Sequence, residues 1–133
     1  MERRVMNLIK ILLGISVFTF WNCGSDKTDY QSLSVDEFEK LIVDPDVQRL
    51  DVRTVAEYSE GHVPSSLNIN VLDEEHFAAI ADSLLIKSQP VALYCRSGKR
   101  SKKAAEQLSK QGFKVFELNK GFNAWKSAGK EIE

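Results

Sequence analysis

Cysteine and histidine are scarce in this 133-residue chain, with two of each. Cys23 and Cys95 admit at most one disulfide, which excludes a scaffold held by cross-links. His62 and His76 come without cysteine or carboxylate neighbours at ligand-like spacing, so no metal site and no organic cofactor are expected. With only three prolines there is no proline-rich arm, and no internal repeat is visible. An excess of one charge is missing too: 18 basic residues face 19 acidic ones, a balance of −1 that argues against a nucleic-acid partner. The one long apolar run, residues 11–20, falls short of the about 20 residues that a membrane-spanning helix needs.

What is present is concentrated around Cys95. Val91-Ala92-Leu93-Tyr94 reads as a buried strand that runs into this cysteine, and Arg96-Ser97-Gly98-Lys99-Arg100 follows as a short cationic loop. A helix is expected over residues 101–111, with Ala104, Ala105 and Leu108 on one face and Gly112 as its stop. A thiol is a poor nucleophile until it ionises, and cations and helix N-terminal amides lower its pKa by about one to several units. Arg96, Lys99 and Arg100 supply such charge within five positions of the sulfur. Gly98 is expected at positive φ, where successive amides converge. The plainer alternative makes Cys95 a small apolar residue ending a buried strand, where free cysteines commonly sit. The electropositive context favours the nucleophile; Lys102 and Lys103 read as a solvated helix face.

The charge is unevenly spread although it nearly cancels. Residues 23–90 hold 5 basic and 14 acidic side chains, and residues 91–133 hold 10 and 4. The cationic half carries the cysteine and would draw small anions toward it.

Strands and helices alternate along the chain. A short strand is expected at residues 30–33, and Ser34 with Glu37 forms a capping box for a helix with Phe38, Leu41 and Ile42 inward. A strand over 47–52 follows, then a brief helix capped by Thr54 and Glu57 that ends near Gly61. Residues 68–71 suggest a further strand, and residues 74–85 a helix whose buried stripe is Phe77, Ile80, Ala81 and Leu84. Strands over 91–94 and 114–118 are the clearest. This order implies an α/β layer fold with parallel pairing and a ligand at the carboxyl ends of the strands, where Cys95 falls.

Three ordered segments stand out: Asp51-Val52-Arg53 through Gly61-His62-Val63-Pro64 to Ile69, then Leu93 to Ser101, then Asn119-Lys120-Gly121-Phe122-Asn123-Ala124-Trp125 to Gly129. Together they resemble the signatures of single-domain rhodaneses, the sulfurtransferases. Two positions depart from the pattern: Ser65 stands where glycine is usual after the proline, and Lys120 replaces one of a glycine pair. Both lie outside the loop and bear on turn geometry rather than chemistry.

The resemblance implies a rhodanese-like fold, a five-stranded mostly parallel sheet with helices on both faces. It implies that the Cys95 thiolate takes the outer sulfur of an anionic donor such as thiosulfate and passes it to a thiol or cyanide. Arg96, Ser97, Gly98, Lys99, Arg100 and Ser101 would bind the donor and stabilise the persulfide. Asp51 and Arg53 match a charged pair that would support the loop, with Glu57 as a surface partner of Arg53. Phe122 and Trp125 would close the last helix onto the sheet, and His62 would be a hydrogen-bonded turn residue. Two rivals remain. A cysteine phosphatase or arsenate reductase also uses cysteine, amides and arginine, but carries five residues between cysteine and arginine where this chain has four. A module that carries a persulfide or senses oxidants without turnover would use the same thiol.

The N-terminus bears on location. Arg3, Arg4 and Lys10 precede or begin the apolar run, as in a signal peptide over residues 1–22. Cys23 at its end, followed by a polar tether to residue 29, resembles a bacterial lipoprotein signal whose cysteine is lipidated. An uncleaved N-terminal anchor is the alternative. The expectation is an extracytoplasmic domain over residues 30–133, tied by lipid to a bacterial membrane.

Overall fold

The structure is a computed structural model and describes residues 29–133. The expected signal peptide, the Cys23 lipidation site and most of the tether lie outside the described residues. The elements run β1 (Tyr30–Leu33), α1 (Val35–Ile42), β2 (Gln48–Asp51), α2 (Val55–Glu60), β3 (Leu67–Asn68), α3 (Phe77–Leu84), β4 (Val91–Tyr94), α4 (Lys99–Lys110), β5 (Val115–Leu118) and α5 (Gly121–Ser127). They build one five-stranded sheet in the order β1-β5-β4-β2-β3, and every pairing is parallel. Parallel neighbours cannot be joined by tight turns, so each connection crosses over a face of the sheet.

Pleating sorts β4 between two cores. Val91 and Leu93 face one way, with Cys95 continuing that side, and pack with Phe77, Ala81, Ala104, Ala105 and Leu108 of α3 and α4. Ala92 and Tyr94 face the other way, with Phe38, Ile42, Phe122 and Trp125 of α1 and α5. Both faces are therefore covered by helices, and β4 is buried along its whole length. Fully buried side chains such as Phe77, Leu93 and Leu108 each contribute about 2 kcal/mol from lost apolar exposure.

Local signals form as read. Both capping boxes are present, Ser34 with Glu37 and Thr54 with Glu57. Several boundaries differ: β2 and β5 each begin one residue later than expected, and β2 ends one residue earlier. β3 is two residues long and begins at Leu67, one residue earlier than expected. α3 starts at Phe77, because residues 73–76 are spent in a turn in which the Asp73 carbonyl accepts from the His76 and Phe77 amides. Its buried line is Phe77, Ala81 and Leu85, while Ile80 and Leu84 are 37% and 54% exposed. Leu85 is extended and reaches inward past the end of the helix, so the packed stripe is narrower than helical periodicity suggested. α4 begins two residues earlier than expected, at Lys99.

Candidate active site

The site is built where β4 ends. Cys95 is 1% exposed, and its Sγ accepts a hydrogen bond from the Gly98 amide at 3.1 Å. Gly98 has φ +101 and immediately precedes α4. A side chain there would be strained by that φ, and its Cβ would overlap the Asn119 carbonyl oxygen. The left-handed turn brings the Gly98 amide onto the sulfur and starts α4 at the next residue.

The loop is also held from behind. The Phe122 amide donates to the Cys95 carbonyl at 2.8 Å and the Asn123 amide to the Arg96 carbonyl at 3.0 Å. In a trans peptide the N–H points opposite to its carbonyl, so these two bonds turn the Arg96 and Ser97 amides away from α5. Gly121, at φ +66, allows the close approach, since a Cβ there would lie 2.5 Å from the Arg96 carbonyl. The sequence reading missed this role of residues 121–123 and gave them only helix packing. The signal was Gly121, a glycine at the start of a helix. Lys120 has φ −105, which lysine adopts without strain.

Arg100 projects from the first turn of α4 onto α2, where its Nη1 and Nη2 donate to the two Glu57 carboxylate oxygens at 2.7 and 2.8 Å. Glu57 is thus the partner of Arg100, whereas the sequence reading paired it with Arg53. The fork holds Glu57 well below the usual carboxylate range, at about 2, against the opposing effect of burial. The same hydrogen bond raises the Arg100 pKa, burial opposes it, and the charge on Glu57 and on the nearby Cys95 adds to the rise. Two of five guanidinium N–H groups are committed to this pair, which fixes the plane of the cation beside the loop.

Arg53 turns inward instead. Its amide and Nε donate to Asp51 Oδ1 at 2.9 and 3.0 Å, and Nη2 donates to Oδ2 at 2.6 Å and to the Gly61 carbonyl at 2.7 Å. Its guanidinium lies 4.2 Å from the centre of the Phe122 ring. Burial works against its charge, but the Asp51 contact prevails and raises its pKa. One buried ion pair thereby ties the end of β2 to the end of α2 and to α5 beside the loop.

The remaining expected residues divide. Arg96, Ser97 and Lys99 are exposed on the loop and first helical position, and neither Arg96 nor Lys99 enters an ion pair among the described residues. Ser101 is fully buried and its Oγ donates to Glu117 Oε2 at 2.8 Å, away from the loop. Glu117 is a buried carboxylate on β5 that the sequence reading passed over; it also accepts from Ser32 and, at 3.1 Å, from Lys102 Nζ. Lys102 in turn donates to the Gly98 carbonyl at 3.3 Å and to Asn119 Oδ1 at 3.0 Å. It is a strut under the loop rather than part of a solvated face. His62 Nδ1 donates to the Tyr58 carbonyl at 2.9 Å, with its ring stacked on Tyr58.

Among the described residues no group of three or more histidine, cysteine or acidic side chains is placed to hold a metal ion, and no helix is long and apolar enough to cross a membrane. The arrangement holds one buried thiol against the Gly98 amide, with the Arg100 guanidinium fixed on Glu57 and the exposed cations Arg96 and Lys99 on the same loop and helix start.

Comparison with known proteins gives a consistent result. A family model for the rhodanese-like domain matches residues 34–128. Thiosulfate sulfurtransferase GlpE of Shewanella oneidensis is 31% identical over 102 residues, which is 76% of this chain and 97% of that protein. A sulfurtransferase of Allochromatium vinosum is 35% identical over 108 residues, 80% of this chain and 94% of that one. The crystal structure of a rhodanese-related protein from Thermoplasma volcanium superposes with a TM-score of 0.68 at 26% identity, covering 78% of this chain and 98% of that chain.

Proposed function

This chain belongs to the rhodanese-like family, whose relatives named above are sulfurtransferases, and from that footing we propose that it moves sulfane sulfur from thiosulfate to a thiol or cyanide through Cys95. The observation that carries the reading is the Gly98 amide donating to Cys95 Sγ at the end of the central strand. In the first half-reaction the Cys95 thiolate attacks the outer sulfur of thiosulfate. The S–S bond of the donor breaks, sulfite leaves with that bond's electron pair, and Cys95 carries a persulfide anion. The loop amides and the Arg100 charge stabilise both the donor and the persulfide. In the second half-reaction the acceptor attacks the terminal sulfur, and the Cys95 thiolate is released unchanged. Two covalent steps sharing one nucleophile give ping-pong kinetics.

Intact-mass measurement tests this. Thiosulfate is expected to add one sulfur atom to the protein, cyanide to remove it, and Cys95→Ser to show no gain. Hydrolysis of an aryl phosphate without the mass gain would establish the phosphatase rival instead. A gain that no acceptor removes would establish the non-turnover carrier.

The reading extends to location. The charged start, the apolar run and Cys23 support an extracytoplasmic domain held to a bacterial membrane by lipid on Cys23. Labelled palmitate is expected to enter the wild type and not Cys23→Ala.

A further inference from the structure

Glu117 on β5 is fully buried, and the reaction as described leaves it without a role. Its Oε1 accepts from Ser32 and, at 3.1 Å, from Lys102, while its Oε2 accepts from Ser101 at 2.8 Å. Among the described residues its one ion-pair partner is Lys102. A buried carboxylate is costly to desolvate, and well-packed neutral side chains often stabilise a fold as much, so stability gives little reason for a charge here. What the charge does supply is a fixed place for the ammonium.

That place is the back of the turn after Cys95. Besides Glu117, Lys102 Nζ lies 3.0 Å from Asn119 Oδ1, 3.3 Å from the Gly98 carbonyl and 3.4 Å from the Asn119 carbonyl. Those two carbonyls belong to segments forced together where Gly98 passes the exit of β5, since a Cβ on Gly98 would lie 2.0 Å from the Asn119 oxygen. Their like partial charges repel, and an ammonium with three donors can bind both. Gly98 is thereby held at its two ends, by its amide on Cys95 Sγ at 3.1 Å and by its carbonyl on Lys102. The carbonyl end also governs the next peptide. Because that peptide is trans, a Gly98 carbonyl turned toward Lys102 turns the Lys99 amide the other way.

We infer that Lys102 is a positioning residue for the first half-reaction: fixed by buried Glu117, its ammonium clamps the Gly98 and Asn119 carbonyls and so keeps the Gly98 amide on the Cys95 sulfur while the persulfide forms. The inference rests on the persulfide reading above. The bonds made and broken are unchanged: Cys95 sulfur bonds to the outer sulfur of the donor, the donor S–S bond breaks, and sulfite leaves with its electron pair. Lys102 takes no part in them and acts through Gly98. An amide stabilises charge on sulfur best when it is aimed in advance, so a released Gly98 slows the step. The encounter with the donor is kept, because exposed Arg96 and Lys99 still attract it.

The test follows persulfide formation in single turnovers with thiosulfate, read as mass gain. Lys102→Met keeps the apolar stem and removes the charge, and is expected to lower the limiting rate constant about tenfold while half-saturating thiosulfate moves less than about twofold. Lys103→Met removes a charge from the neighbouring position, which pairs with Glu74 at the surface, and is expected to change either quantity by less than about twofold. In 15N-labelled protein the Gly98 amide proton is expected to move upfield in Lys102→Met and to stay in Lys103→Met, as a weakened bond to sulfur requires. Lys102→Met combined with Glu117→Gln removes the buried anion with its partner, so it is expected to regain most of the lost thermal midpoint and yet remain slow. If Lys102→Met alone does not fold, this double variant carries the same comparison. A rate that recovers with the midpoint, an unmoved Gly98 resonance, a loss confined to thiosulfate affinity, or equal losses in both lysine variants overturns the inference. A normal mass gain in the wild type with an unaffected Lys102→Met refutes the clamp alone, whereas no gain in the wild type refutes the parent reading as well.

Discussion

Gly98 carries the severest steric demand near the sulfur. Its positive φ and the Asn119 carbonyl at its back mean that even a methyl group displaces the backbone whose amide points at Cys95. Gly98→Ala is therefore expected to lower stability by about 1–3 kcal/mol in urea unfolding and to reduce persulfide formation more than tenfold. Retained activity would show that the loop amide is dispensable. Ser65 presents the opposite case. It holds φ +62, a conformation that disfavours a side chain, at the position where the rhodanese pattern has glycine. Ser65→Gly removes that strain and adds some unfolded-state entropy, so a net gain of about 0.5 kcal/mol is expected, read as a higher urea midpoint.

α4 is fastened at its first turn by bonds to three other segments. Arg100 reaches α2, Ser101 and Lys102 reach Glu117 on β5, and Lys102 also reaches Asn119 beyond it. α5 completes the frame by donating its early amides to the loop carbonyls. The pair between α2 and α4 has a defined pH signature. The ordinary value for the Glu57 carboxyl is 4.5 and the folded value about 2, so its stabilisation is fully present above pH 4.5 and is lost as pH falls toward 2. Stability curves of wild type and Glu57→Gln are expected to stay a constant distance apart above pH 4.5 and to converge as pH falls through that window. Parallel curves would mean that Arg100 gains nothing from Glu57.

The charge division of the chain becomes spatial once the sheet forms. Arg96, Lys99 and Lys120 all sit on segments that leave the carboxyl ends of β4 and β5, beside Cys95. A divalent anion approaching that end meets several unpaired cations, and screening should weaken the attraction. Raising salt from about 0.01 M to about 1 M shortens the Debye length from roughly 30 Å to 3 Å. Under that change kcat/KM for thiosulfate is expected to fall several-fold, while kcat changes little. A flat salt profile would place recognition wholly in the loop amides.

Much of this protein is written in short-range order. The two capping boxes, the alternation of strand and helix, the glycine turn after Cys95 and the burial of β4 each depend on residues within a few positions of one another, so their pattern is readable along the chain. The partners of Arg100 and Ser101, 43 and 16 positions away, were not readable, nor was the use of the α5 amides to aim the loop. Those contacts exist because a parallel sheet brings the ends of distant strands side by side, and which charge meets which is settled by register and helix rotation. Composition and local periodicity carry no record of either. The chain alone therefore names the sulfur, the loop and the layer type; packing chooses the cation's partner and the strut under the loop.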